Sequence, residues 1–443
     1  MVDRDGTRRR PTCGGARLIV RISSRREFLS LLGSSLALPL ARRVDAAVAA
    51  QASVGGSRPC RIRTITAGVP LANFTDLREV ESALSVLARA KQRFEGEGYE
   101  VQTVRIATSP VVASLSPGAR DATIGALRSL DKLVESHDAL ASIGPVMLED
   151  RRDDALALWS AELVRTTRRI NFSVSVVSTA NGVHAQAAAS AANVMVALSA
   201  RTPGGLGNFR FAAAANVPAG TPFFPVAYHD GPASLAIGLE SAGLVQEALA
   251  QATDAASATV LVRQRLDDVL LPIERTATAI AQEEGRSYLG IDPSPAPGQD
   301  RSIGAALEAL THLPFGSGST LEACAAVTTA LKALKVRTCG YAGLMLPVLE
   351  DPVLAQRAGE GRFGVRDLLL YSSVCGTGLD LVPIPGDTPP EVITRVIRDV
   401  AALAARWQKA LSARLFLVPG KQAGQLATFD DPLLTPCTVL PVS

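Results

Sequence analysis

Between Arg61 and Thr108 the chain reads as strand, long helix, strand, and this order constrains the fold more than any other feature. "RIRTITAGVPL" alternates apolar and polar residues, the period of a strand. "DLREVESALSVLARAKQRFEGEG" repeats its apolar residues at three and four, with start signals between Asn73 and Asp76 and a stop at Gly98. "YEVQTVRIAT" alternates again. Two strands joined through a helix make a βαβ unit. The pattern continues with a helix over about Ala119–His137, the short apolar run "ALASIGPVML", the strand "INFSVSVVS" and the small-residue helix "GVHAQAAASAANVMVALSA". "FRFAAAANV", "SLAIGLE", "SYLGIDPSPA" and "ARLFLVPG" are predicted strands; "LEACAAVTTALKAL" and "PEVITRVIRDVAALAARWQKAL" are predicted helices. No internal repeat or interdomain linker interrupts them. The expected fold class is α/β: one large barrel-like domain over residues 61–443, with helices outside.

The segment before this domain has a different character. "SSRREFLSLLGSSLALPLARRVDAAVAA" carries paired Arg25 and Arg26, then Phe28 and Leu29, a short apolar stretch to Leu40, and Ala47-Val48-Ala49. Charged start, modest apolar region and small-residue cleavage site are the order of a twin-arginine (Tat) export signal. Residues 1–50 are therefore expected to be a signal handed to the Tat machinery, and residues 51–60 a tether. The expected destination is the periplasm or the extracellular space. The apolar stretch is too short to span a bilayer, and no later one is long enough.

Other bulk properties narrow the function. A net charge of +3, with 4% aromatic residues, gives no basic patch interleaved with aromatics, so no nucleic-acid partner is expected. Cys60, Cys324, Cys339, Cys375 and Cys437 follow the signal. An odd number without paired spacing is neither a disulfide framework nor a zinc pattern. A homo-oligomer is compatible with the sequence.

Several predicted strands end in carboxylates beside Gly or Pro: Glu240, Asp292, Glu350-Asp351, Asp380 and Asp387. His229 stands in "PFFPVAYHDG". Loops at strand ends of α/β proteins converge on sites. Carboxylates there move protons or hold a divalent cation. The competing reading is capping and turn chemistry. It is strongest at "GDTPPE", where Thr388 is the expected N-cap, Pro389 the first helical residue and Glu391 lies three residues beyond the cap. Gly386 there could also receive an anion. "GSGST", Gly316 to Thr320, lacks the Lys of a phosphate-binding loop.

"VRIATSP", "TPFFPVAYHDG", "AIGLESAG", "GIDPSPAP", "GSGST", "CGYAGLMLPVLED", "VCGTGLDLVPIPGDTP" and "QKALSARLFLVPGK" occur in this order. Together they resemble the uncharacterised bacterial and archaeal family called domain of unknown function 711, from about Arg61 to the C-terminus. The resemblance implies an α/β barrel similar to that of glycyl-radical enzymes, and no established reaction. It points to Arg105, His229, Asp292, Glu350, Asp351, Cys375, Asp380, Asp387, Lys409 and Arg414. "VRTCGYAGL" also resembles a glycyl-radical loop. Gly340, however, lies about a hundred residues from the end and Cys375 follows it. The reading adopted is a close-packed glycine turn.

The expected function is an enzyme acting on a small anionic metabolite. Arg105, Lys409 or Arg414 would hold the anion, and His229 with Asp292, Glu350 or Asp387 would move protons beside Cys375. A divalent cation would be held by Glu350, Asp351 and Asp380. The alternative is a non-catalytic periplasmic binding or scaffold protein.

Overall fold

A computed structural model describes residues 60–298 and 300–442. The expected signal and nearly all of the tether lie outside them. The described residues belong to one compact unit with a continuous aliphatic core. Among them, no helix is long and apolar enough to cross a membrane.

The opening βαβ unit forms as expected. β1 (Arg61–Val69) and β2 (Val101–Thr108) pair in parallel. The crossover helix Arg78–Gly96 buries Val80, Ala83, Leu84, Leu87, Ala90 and Phe94. Each fully buried Leu or Phe contributes about 1.5–3 kcal/mol. Gly98, at φ +86°, turns the chain after the helix at a backbone angle that a side chain resists.

β3 (Ala139–Pro145), β4 (Ile170–Ser178) and β6 (Phe211–Ala215) extend the parallel run, and the two-residue β5 (Gly182–Val183) pairs with β4. β7 (Ser234–Glu240) then pairs antiparallel with β1, and β8 (Ser287–Asp292) lies parallel to β7. At the other side β10 (Leu411–Val418) is antiparallel to β6, and β9 (Gly378–Pro385) is parallel to β10. The ten-stranded sheet has the order β8-β7-β1-β2-β3-β4-β6-β10-β9. Five long strands thus run one way and four the other.

The closed barrel expected from the sequence is not formed as a continuous ladder among the described residues. β8 and β9 are the sheet edges. The segment Arg337–Val348 spans them with single bridges, Thr338 to Ile291 and Pro347 to Asp380. Pro347 lacks the N–H that a ladder needs. Gly340 adopts φ +69°, and a side chain there would collide with the Asp292 carboxylate. The close-packed turn read at Gly340 is what forms.

Helices cover one face of the sheet. The longest, Ala255–Glu283, has no counterpart among the elements predicted above. Its start is a capping box: Ser257 N donates to Asp254 Oδ1 at 2.8 Å, and Asp254 N donates to Ser257 Oγ at 3.1 Å. The other face carries small and polar residues, among them Thr64, Thr66, Ser142, Ser173, Ala212, Ala214 and Ser412, all buried. The alanines of β6 leave room there for the segment Val217–Tyr228. Val217, Phe223 and Val226 pack with Ala212, Ala214, Tyr341 and Met345 in a second apolar cluster. Hydroxyls satisfy the carbonyls of this segment: Thr66 Oγ1 donates to Pro222 O at 3.1 Å, and Ser142 Oγ to Ala227 O at 2.6 Å.

Candidate functional site

A cavity of about 630 Å³ lies on this inner face, at the N-terminal ends of β1–β4 and the C-terminal end of β7. Arg61, Arg63, Arg105 and Arg414 line it with Glu240, Glu350 and Asp380, beside Phe209, Phe223 and Phe224. Its volume lies in the range of small-molecule sites.

Arg105 is the residue that distinguishes the cavity. Its side chain leaves the middle of β2 and stacks over Phe224, 4.9 Å from the ring centroid. Nε donates to Thr103 Oγ1 at 3.1 Å. Among the described residues no carboxylate comes within ion-pair distance of it, although the residue is only 8% exposed. Burial depresses its pKa to about 9, and Arg63 and Arg414 add repulsion, while the Glu350 carboxylate, beyond ion-pair distance, pulls the other way. It stays charged at neutral pH, and its guanidinium fork is the group that matches a carboxylate or phosphate in a bidentate pair.

The carboxylates face other arginines. Arg414 Nη1 donates to Asp380 Oδ1 at 2.7 Å, and its Nη2 donates to Phe209 O at 3.2 Å. Arg63 sits between Glu240 and Glu350, 3.7 Å from an oxygen of each. Gln102 Nε2 donates to Glu240 as well. Glu350 has no closer ion pair than Arg63. Its side chain is 14% exposed, and burial pushes its carboxyl up, with Arg63, Arg414 and Arg105 pulling the other way. A carboxyl whose pKa is raised by burial in a cavity, with cations around it, can donate and accept a proton. The bridge between Pro347 and Asp380 fixes the turn that carries Glu350 against β9.

The other residues expected at the site lie elsewhere. His229 packs against Gly68 near the far end of β1, its backbone N–H donating to Thr108 O at 3.0 Å. Gly68 lies five residue steps along β1 from Arg63, about 16 Å at ~3.3 Å per residue. Its imidazole contacts Gly231 O at 2.8 Å and Ser234 Oγ at 3.3 Å, and burial lowers its pKa. Asp292 is fully buried and accepts from the backbone N–H groups of Ser294, Tyr341 and Ala342 and from Ser294 Oγ. Asp351 caps the helix Pro352–Gly359 through Val353 N and Leu354 N, and accepts from Ser302 Oγ and Ile303 N at the start of a second helix. Burial pushes both carboxyls up. Asp387 accepts from Gln422 Nε2 beyond β9, in an exposed setting.

Lys409 donates to Ser372 O, Ser373 O and Cys375 O at 2.5, 3.0 and 2.6 Å, which closes the C-terminal end of the helix Val365–Ser372. Burial lowers its pKa to about 8. Cys375 is buried, and its hydrogen bond with Cys324, together with burial, raises the Cys324 pKa. Thr388 Oγ1 donates back to Pro385 O, so Thr388 does not cap the helix Pro390–Trp407 as expected. Among the described residues no group of three or more His, Cys, Asp or Glu side chains is arranged to hold a metal ion. In the cavity the carboxylates alternate with arginines, and Asp351 is committed to two helix starts.

Five residues singled out in the sequence, Arg105, Glu240, Glu350, Asp380 and Arg414, therefore meet in one place. The reversal of strand direction separates His229, which lies by the C-terminal ends of β1 and β2, opposite those of β7 and β8; Asp292 and Asp351 are instead taken up by backbone N–H groups. Arg63 and Gln102 were not anticipated. Their signal was polar residues two apart at the starts of otherwise apolar strands, where one face must hold them all.

The family profile "Uncharacterised ACR (DUF711)" matches residues 56–430. A UPF0210 protein of Pyrobaculum islandicum is 32% identical over 364 residues, covering 78% of this chain and 80% of the relative. A UPF0210 protein of Oleidesulfovibrio alaskensis is 28% identical over 418 residues, 86% of this chain and 90% of the relative. The UPF0210 protein MJ1665 of Methanocaldococcus jannaschii is 27% identical, covering 83% and 88%.

Proposed function

The chain belongs to the uncharacterised DUF711 family, and we propose that it is an enzyme that binds a small carboxylate-bearing metabolite on Arg105 and transfers a proton through Glu350. The observation that carries this reading is a buried guanidinium in a ligand-sized cavity, with Glu350 close enough to be felt but, among the described residues, no acid within ion-pair distance of it. A desolvated unpaired charge is costly, and an anionic ligand supplies the missing partner. The reaction class is proton transfer next to a bound carboxylate. Phe223 and Phe224 exclude water from one side, and Arg63 holds Glu350 in place. No step in it draws on the expected resemblance to glycyl-radical enzymes.

The test is proton exchange in deuterated water. Purified protein is incubated with a panel of small carboxylic acids, and exchange at carbon next to the carboxylate is followed by NMR. Catalysed exchange that disappears in Glu350→Gln, with binding retained, supports the reading. The distance of His229 from the carboxylates favours a second reading, a binding protein without catalysis. Binding without exchange in wild-type protein would select it. For location, the Tat pattern of the first residues supports export, and the protein is proposed to work in the periplasm or outside the cell.

A further inference from the structure

A second cavity, of about 510 Å³, lies on the same inner face at the other end, past the C-terminal ends of β3, β4 and β6. It differs in chemistry from the first. Ser173, Ser175, Thr179, Asn216, Tyr228 and Gln408 line it, and no acidic or basic side chain does. Burial raises the Tyr228 pKa, so the phenol stays neutral. The segment Val217–Tyr228 separates the two cavities: Phe223 and Phe224 face the first, and Val217, Val226 and Tyr228 face the second.

Most polar groups here already have a protein partner on one side only. Asn216 Nδ2 donates to Ala404 O at 2.9 Å and Gln408 Nε2 to Ala405 O at 2.7 Å, which leaves each amide oxygen as an acceptor. Tyr228 Oη donates to Val217 O at 3.3 Å. Ser173 has none: it is fully buried, and its Oγ has no hydrogen-bond partner. A buried hydroxyl without a partner is the exception in folded proteins. Alanine would satisfy the packing of this position, so a hydroxyl here points to something that binds it.

We propose that this cavity is a second binding site, for a neutral polyhydroxylated molecule of about monosaccharide size. The wall offers the Asn216 and Gln408 amide oxygens as acceptors beside serine and threonine hydroxyls that both donate and accept, which suits the hydroxyl groups of a ligand. Small apolar side chains, Ala214, Val217 and Val226, offer the flat contacts that C–H faces of a sugar ring need. A charged ligand would find no counter-charge.

The experiment is saturation-transfer NMR and calorimetry on the mature protein with glucose and myo-inositol, against glucose 6-phosphate and glucuronate as charged counterparts. The neutral compounds are expected to bind and the charged ones to bind at least tenfold more weakly. Ser173→Ala is expected to weaken binding about tenfold with the melting temperature unchanged or raised. Ser175→Leu, which fills the cavity, is expected to abolish it. Arg105→Met, in the other cavity, is expected to leave it untouched, so this result stands apart from that of the carboxylate site. Absence of binding by both neutral compounds at millimolar concentration, or binding indifferent to Ser173→Ala and Ser175→Leu, would overturn the proposal.

Discussion

Arg414 and Asp380 form a buried ion pair at 2.7 Å, linking β10 to β9 at the wall of the arginine-lined cavity. Both side chains are largely out of water, so each depends on the other. Asp380→Asn should lower stability by about 3–5 kcal/mol, because it strands the Arg414 cation. Asp380→Leu combined with Arg414→Met should recover most of that loss. Urea unfolding of the two variants beside wild type measures both. Equal destabilisation by the single and double changes would mean that the pair is not the source of the loss.

Gly340 separates geometry from radical chemistry. Its φ of +69° and its contact with the Asp292 carboxylate leave no room for a side chain. Gly340→Ala should therefore destabilise the fold by more than about 1 kcal/mol. Wild-type protein handled without oxygen should show no organic radical by electron spin resonance. A radical signal lost in this variant would reverse the reading.

His229 should act on stability, not on turnover. Burial lowers its pKa below the ordinary 6.5, so below that value the unfolded chain binds more protons than the folded one. Stability should then fall as pH drops through 6.5 toward the depressed folded value. His229→Gln should flatten this acid limb while leaving carboxylate binding within about twofold. Loss of binding in a variant that melts normally would bring His229 back into the site.

For export, changing Arg25 and Arg26 together to Lys should hold the protein in the cytoplasm, since a Tat signal depends on the pair. Cell fractionation reads the outcome, and normal appearance outside the cytoplasm would remove the assignment.

Most strands were legible, since "RIRTITAGV", "VQTVRIAT" and "SLAIGLE" carry the strand period plainly, and Gly98 stops its helix as read; their order in the sheet was not. The helix over 255–283 was hidden because charged residues crowd its apolar stripe and Pro272 interrupts it. Of the site, Glu350 and Asp380 were visible as carboxylates following apolar runs, and Arg105 and Arg414 through family likeness. Strand direction was not visible. A strand ending in Asp292 and one followed by His229 look alike in sequence, yet only the pairing with β1 decides which end of the sheet each reaches. Asp351 shows the same limit: one carboxylate beside Pro suits a cap or a ligand, and the arrival of Ser302 and Ile303 from 49 and 48 residues away makes it a cap for two helices.

Arg105 is proposed to await an anion. Calorimetric titration with acetate, lactate, succinate and citrate, each beside its neutral amide, tests it most directly on wild type and Arg105→Met. At least one carboxylate should bind wild type, its amide should not, and Arg105→Met should lose at least thirtyfold in affinity. Arg105→Met should also melt at or above the wild-type temperature, because a buried cation outside ion-pair distance of any acid among the described residues has been removed. Equal binding by the variant, or no carboxylate bound by wild type, would contradict it.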